Sequence, residues 1–492
     1  MASILVAHSY FLRFDQKQLE RAKPYPPLAT LQVAAELRAA GHDLAMFDAM
    51  LADGPQAYAR LIKRRSPSVA LFYEDNFNYL SKMCLGRMRS ACGEMIAAAR
   101  ARGAFVIVAG SDATDSPDTY FAAGAHVVLL GEGLSALRTF AHRLHAQTDG
   151  DLTMLVRDLP GVIYVDAHGK PQLSNVRALP EQSGPMLPAW DLIDVERYRS
   201  TWLRAHGFFS LNMAASRGCS FRCNWCAKPI WGNRYLQRAP TEVAREMAYL
   251  KRTLRPDHIW FADDIFGFRV DWIEAFADSM DALDGALPFT IQTRADLVSD
   301  AAARALRRAH CQEVWLGAES GSQRILDAMN KGTTVEQVLA AREHLGGQGI
   351  RVGFFIQLGY LGETLEDLLA TRELIETARP DDIGVSVSYP LPGTKFHELV
   401  KEQLQRKTHW DESNDLAMMF EGTYRTEFYR EFRNLLHEQV DLDRAGAGFE
   451  PQRSALEEKW RRLLADEGAY RNHEPAARAL LSRPHAAAAP AP

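Results

Sequence analysis

The 492-residue chain has no apolar run near the roughly 20 residues that a membrane helix needs, so no membrane role is expected. It has little cysteine for its length, six residues, too few and too scattered for a disulfide framework. Nor does it carry excess positive charge. Its 57 Lys and Arg against 62 Asp and Glu leave a formal net charge of −5, which argues against a broad nucleic-acid-binding surface. The opening MASILVAHSYF has no basic segment, and its apolar run is too short for an export signal. It reads as a first buried strand, and the thiols are expected to stay reduced in a cytoplasmic protein. What is present is ordinary for a globular chain: 47% apolar and 24% charged residues, with length for two to four domains at about 150 residues each.

Residues 1–145 alternate short apolar runs with amphipathic stretches. SILVAH, DLAMFDA, SVALFY, AFVIVAG and HVVLL read as strands. Helical patterns lie between them: PPLATLQVAAELRAAGH capped by Gly41, then about 55–65, 79–102, 117–123 and a stretch after Gly133. Five such units predict a doubly wound, flavodoxin- or Rossmann-like parallel sheet, whose ligands sit beyond the C-terminal strand ends. Residues 146–204 read as a linker with a hairpin, LPGVIYVDAHGKPQLSN, and a Pro-rich connector. Residues 205–404 alternate again: SLNMAAS, HIWFAD, PFTIQT, EVWLGAE, RVGFFIQLG and IGVSVSY are the strand candidates. Six β/α units predict a partial (β/α)6 barrel of the TIM type with its function at the C-terminal strand ends. Residues 405–475 read as a small helical subdomain, in which HWDESNDLAMMF favours a packed cap over a cavity lining. Residues 476–492 have no core-forming pattern and read as a disordered tail.

Three of the six cysteines, Cys219, Cys223 and Cys226, fall within GCSFRCNWC, in the loop after the first barrel strand. Thiolates suit zinc or iron–sulfur clusters. Structural zinc wants four ligands, usually in two pairs, and the nearest histidines, His206 and His258, are not at a paired spacing. A cluster held by three thiolates leaves one iron open to a small molecule. Cys84, Cys92 and Cys311 read as buried small apolar residues.

C-x3-C-x2-C with Trp225 before the last cysteine resembles the signature of the radical S-adenosylmethionine (SAM) enzymes. The resemblance implies a 4Fe-4S cluster on the three cysteines and SAM on the open iron, cleaved reductively to a 5′-deoxyadenosyl radical by an external donor such as flavodoxin or ferredoxin. It also implies SAM contacts at the later strand ends: Asp263 and Asp264 in FADD, Gln292 and Arg294 in IQTRAD, and Glu319 and Ser320 in LGAESGS. In VGFFIQLGYLGET the matching positions are Ile356, Gly359 and Glu363. Each alone could be a strand cap or a first-turn acid.

A wound domain ahead of such a barrel resembles the cobalamin-dependent subclass, as do PPLATLQVAAELRAAGH, the Gly131–Gly133 turn and YPLPGT at 389–394. The D-x-H-x-x-G histidine of many cobalamin domains is missing, since Asp112 is followed by Ala113 and Thr114. The resemblance therefore implies cobalamin bound without a protein imidazole. Asn76, Gly110, Ser111, Gly131 and Gly133 are the candidate contacts, with turn chemistry as the plain alternative. Tyr73 or Tyr79 over the corrin face is an even bet against packing, whereas Phe72 and Phe77 read as core. Trp225 and Trp231 could equally shield a radical or simply pack. The implied reaction is methyl transfer from methylcobalamin to an unactivated carbon, or phosphorus, of a small-molecule substrate. The alternative is an oxidative cyclisation or rearrangement with the same cofactors. A tRNA methylthiotransferase would need a further three-cysteine cluster and a basic RNA-binding domain, and neither is legible.

Overall fold

The computed structural model describes residues 2–78, 86–146, 151–174, 187–226, 233–404, 416–446 and 448–472. Strands β1 (Ser3–Ala7), β2 (Asp43–Phe47), β3 (Val69–Tyr73), β4 (Phe105–Ala109) and β5 (Val127–Leu129) are all parallel. They take the order β2-β1-β3-β4-β5 in one sheet. Their near-continuous apolar runs follow from burial on both faces. On one face Ile4, Val6, Leu71 and Ile107 pack against Val33, Leu37, Leu137 and Phe140 of the helices Leu28–Ala39 and Leu134–Ala146. On the other, Leu5, Ala70, Val106 and Val108 meet Tyr58, Ile62, Met95 and Ile96 of the helices Pro55–Arg65 and Gly86–Arg100.

The hairpin read within the connector does not stand alone. Its strands β6 (Val162–Val165) and β7 (Pro171–Leu173) continue the first sheet antiparallel to β5, making seven strands. A parallel edge strand offers unpaired backbone groups, and the hairpin satisfies them on β5. Cys84, Tyr79 and Trp231 lie outside the described residues.

The second sheet has six parallel strands in the order β15-β14-β13-β12-β11-β8, curled into a half-barrel. They are β8 (Ser210–Met213), β11 (His258–Phe261), β12 (Phe289–Thr293), β13 (Cys311–Glu319), β14 (Arg351–Leu358) and β15 (Asp382–Val387). Alternation sorts their side chains. Val314, Leu316, Val352, Phe354 and Ile356 are buried in the core. Trp315 and Phe355 face the concave side and stack at 4.9 Å. A Cβ on Gly353 would stand 2.6 Å from the Trp315 ring, so only glycine fits there. Near the N-terminal strand ends, Ser210 Oγ bonds His258 Nδ1 (2.8 Å) and His258 Nε2 bonds Thr290 Oγ1 (2.9 Å). Burial among these groups pushes the His258 imidazole down to about 4, so it is neutral.

A half-barrel has an open side, and here other parts of the chain fill it. From the first domain, Pro24–Pro26 runs along β8. Trp202 Nε1 donates to Pro24 O (2.7 Å), the Tyr25 hydroxyl bonds Ser210 Oγ (3.0 Å), and Asn212 Nδ2 donates to Pro26 O (2.9 Å). Against β15 lies the helix Thr426–Ala445, followed by Glu450–Ala465, the two joined through Phe432 and Trp460 at 4.9 Å. Of the aromatic and methionine-rich stretch before them, residues 405–415 lie outside the described residues, while Met419 and Phe420 are buried. Residues 473–492 are likewise not described.

Candidate functional site

The three-cysteine loop is suspended from a short ribbon, β9 (Ser216–Gly218) paired antiparallel with β10 (Tyr235–Gln237). Asp263, fully buried after β11, anchors that ribbon by accepting from Ala215 N (2.9 Å) and from the Ser216 hydroxyl. Burial pushes its carboxyl up to about 7, against the pull of those donors. Gln292 Nε2 donates to Asp263 O (2.6 Å). Arg294 is paired with Asp296 at 2.9 and 3.0 Å, lies 3.7 Å over the Phe221 ring, and brings Nη1 within 3.8 Å of Cys223 Sγ. These residues hold the loop; Asp264, next in the chain, is half-buried.

Asn224, between the second and third cysteines, pins the far side. Its N–H donates to Met329 O (3.0 Å), its Nδ2 to Ala328 O (2.7 Å), and its O accepts from Phe396 N (2.9 Å). Cys219 is buried, while Cys223 and Cys226 keep part of their surface. Among the described residues no three His, Cys, Asp or Glu side chains converge as single-ion chelation requires. A cluster has a different demand, because each thiolate ligates its own iron. Three thiols on one hydrogen-bonded loop, none of them in a disulfide and one beside an arginine, fit a cluster with an open position.

Glu319 ends β13 at φ +64°, a left-handed conformation that costs a non-glycine residue about 1–3 kcal/mol. Its Oε1 accepts from Lys331 Nζ at 2.7 Å, both side chains 7% exposed, and Lys331 lies 6.0 Å from the Trp225 ring. A Cβ on Gly317 would collide with this pair, at 2.7 Å from Nζ. Three other expected contacts are placed differently. The Ser320 hydroxyl turns away into the protein, bonding Thr371 Oγ1 (3.2 Å) and accepting from Ser322 N (3.1 Å). The Ile356 side chain is in the core, so only its backbone faces the concave side. Gly359 (φ +72°) donates its N–H to Glu363 Oε2 at 2.6 Å, closing the turn after β14. Burial pushes the Glu363 carboxyl up to about 8.

In the first domain the expected contacts lie at the C-terminal ends of β3, β4 and β5. Glu74 Oε1, Asn76 Nδ2 and Ser111 Oγ are buried with no hydrogen-bond partner among the described residues. A Cβ on Gly110 would stand 2.8 Å from Glu74 Cβ, so this glycine lets the two strand ends approach. Gly131 and Gly133 both have φ near +65°, and a Cβ on Gly133 would meet Leu129 at 2.6 Å. Gly131 N donates to Thr114 Oγ1 (3.0 Å), and the Tyr73 hydroxyl donates to Glu132 O (2.8 Å). Both glycines thus have the backbone conformation that a turn requires, and the Tyr73 side chain is buried. Cys92 and Cys311 are buried, as small apolar residues would be, and burial pushes the Cys311 thiol up.

The residues missed by the sequence reading join these surfaces. Arg217, two positions before Cys219, pairs with Glu132 between the two glycines, and its Nη2 donates to Gln32 Oε1 at 2.7 Å. With Lys331 and Asn224 it makes up the support of the loop. No local motif marks any of them, because their partners are distant in sequence.

Residues 213–375 match the model of the radical SAM superfamily. An uncharacterized methyltransferase of Pyrococcus horikoshii is 24% identical over 389 residues, covering 76% of this chain and 78% of the relative. The anaerobic magnesium-protoporphyrin IX monomethyl ester cyclase of Rubrivivax gelatinosus is 26% identical over 244 residues, 49% of this chain and 43% of that one. In fold, the chain resembles the radical SAM methyltransferase TsrM of Kitasatospora setae, solved with cobalamin and a [4Fe-4S] cluster. The TM-score is 0.65 at 18% identity, covering 82% of this chain and 75% of that one. With a thiol loop at the strand ends of its half-barrel, the chain carries a radical SAM domain over residues 213–375, and its arrangement behind a wound α/β domain is similar in fold to the TsrM methyltransferase.

Proposed function

We propose that the enzyme methylates an unactivated carbon, or phosphorus, of a small molecule, with cobalamin in the first domain and a 4Fe-4S cluster on Cys219, Cys223 and Cys226. When bound, the cluster would supply the electron that cleaves SAM to a carbon radical, and cobalamin would carry the methyl group. The observation that supports this most is the Arg217–Glu132 pair, which links the segment leading into the thiol loop to the Gly131–Gly133 turn. Such a link supports a reading in which the two cofactors lie near one another. Asn76, Ser111 and Glu74 offer unused donors and acceptors suited to the amide-fringed corrin. Glu319 and Lys331, an ion pair at the end of β13, offer the opposed charges that a zwitterionic SAM would need. Stacked Trp315 and Phe355 give the chamber apolar walls that exclude water from a reactive intermediate. The electron would come from an external donor such as a flavodoxin or ferredoxin, in the cytoplasm.

The test is anaerobic reconstitution. Wild-type protein should hold about four irons per chain and form 5′-deoxyadenosine from SAM with reductant. It should also show corrin absorption after supplementation with hydroxocobalamin. Iron without corrin bands would remove methyl transfer and leave a radical enzyme of another kind. The Rubrivivax relative favours a second reading, an oxidative ring closure with the same cofactors and no methylation. A methylated against an oxidised product separates the two by mass.

A further inference from the structure

The concave face of the half-barrel carries a patch whose chemistry narrows the class of substrate. Successive residues of a strand point to opposite faces, so Phe355 and Gln357 of β14 share the concave side while Phe354, Ile356 and Leu358 enter the core. Trp315 and Phe355, stacked at 4.9 Å, are half-buried, which leaves each ring accessible surface on that side. The protein itself holds the rings in place. Trp315 Nε1 donates to Glu313 Oε2 at 3.2 Å, and Glu313 has the Arg351 guanidinium at 3.6 Å and the Thr290 hydroxyl at 3.5 Å. A Cβ on Gly384 of β15 would stand 3.3 Å from both rings, so the neighbouring strand brings backbone, not a side chain, against them. Such a wall favours a flat, conjugated partner over a puckered one.

Two residues beyond Phe355, toward the strand ends, Gln357 is 3% exposed. Its Nε2 donates to Ser388 Oγ at 3.0 Å, and its Oε1 has no partner among the described residues. A buried carbonyl oxygen without a donor is unfavourable, and a ligand N–H or O–H would satisfy it. The patch adjoins the expected SAM contacts. Phe355 pairs in register with Gly317, where a Cβ would meet Lys331 Nζ at 2.7 Å and Glu319 Oε1 at 2.9 Å.

We propose that Trp315, Phe355 and Gln357 seat the substrate, a flat conjugated ring that packs on the two aromatic side chains and donates its own N–H or O–H to Gln357 Oε1. Gln357 then sets which edge of the ring points to the strand ends. The substrate role rests on the radical SAM reading; binding of the ring does not.

Three probes of similar size separate the parts of this seat, by calorimetric titration of the anaerobically reconstituted full chain. Phenol has a flat ring and a donor, anisole the ring without the donor, and cyclohexanol the donor without a flat ring. Phenol should bind saturably, and anisole and cyclohexanol should each bind at least about tenfold more weakly. In Gln357→Leu, with folding checked by melting temperature, phenol should fall to the affinity of anisole. Either of the other probes binding wild-type protein as tightly as phenol overturns the proposal, as does the lack of saturable phenol binding. Those comparisons need no variant, so they stand even if Gln357→Leu fails to fold. A folded Gln357→Leu protein that keeps the full preference for phenol overturns the proposal as well. The wild-type preference in a protein that never forms 5′-deoxyadenosine from SAM keeps the ring site and removes its role as a substrate seat.

Discussion

The strand ends of the two sheets differ in how their polar groups are used. In the half-barrel, Asp263, Gln292, Arg294, Glu319 and Ser320 are all engaged by other protein groups. At the first sheet, Asn76, Ser111 and Glu74 keep buried atoms with no partner among the described residues. A buried, unpaired polar group costs about 1–3 kcal/mol, so a fold retains it where something else completes it. These half-barrel residues hold the loop, although Gln357 Oε1 and Glu363 Oε1 are also buried without a partner among the described residues, whereas Asn76, Ser111 and Glu74 keep donors and acceptors to offer.

The largest effect should come from the loop itself. Cys223→Ala should lower 5′-deoxyadenosine formation by more than about a hundredfold, with cluster iron falling alongside, by liquid chromatography and iron assay. An unimpaired variant would detach the chemistry from this loop. Next is the scaffold. Lys331→Met would leave the Glu319 carboxylate buried and unpaired, costing about 3–5 kcal/mol and visible as a lower melting temperature. Adding Glu319→Gln should recover part of that loss. A single variant as stable as wild type would mean that the pair does not hold the strand end.

The first sheet should respond in the opposite sense. Asn76→Leu should leave cofactor-free protein unchanged or more stable by up to about 1 kcal/mol, yet weaken hydroxocobalamin binding about tenfold by absorbance titration. A destabilised variant with full corrin affinity would reverse the contrast between the sheets.

The smallest effect concerns pH. The Glu363 carboxyl, pushed up to about 8, keeps its proton in the native state while the unfolded chain loses it near the ordinary carboxylate value. Native protein then binds more protons, so stability falls as pH rises between those two values. Glu363→Gln should flatten that fall, raising the melting temperature by about 2–4 °C at about pH 8 and little at about pH 5. Equal shifts at both would show that packing, not the proton, matters there.

Patterning along the chain made the eleven parallel strands legible, since each sheet strand is a short apolar run bounded by turn residues. The hairpin 162–173 was legible as a hairpin but not as the edge of the first sheet, because edge pairing leaves no periodic trace. Spacing alone pointed to the thiol loop. What could not be read were the pairs that position it: Arg217 with Glu132, and Lys331 with Glu319, where a single charged residue looks like any other surface charge. Ser320 and Ile356 show the converse. They sit in the expected segments, but their side chains face the protein.

The Pro24–Pro26 strap bears on how such chains could be recombined. Its carbonyls cap Trp202 and Asn212, and its tyrosine completes the polar layer at Ser210. A half-barrel excised at the connector would lose all three bonds and open its β8 flank to solvent. A chimera carrying a foreign first domain would have to recreate that tripeptide in register. The natural unit of transplantation is therefore the strap together with the barrel, and a boundary drawn between the sheets would cut through a shared wall.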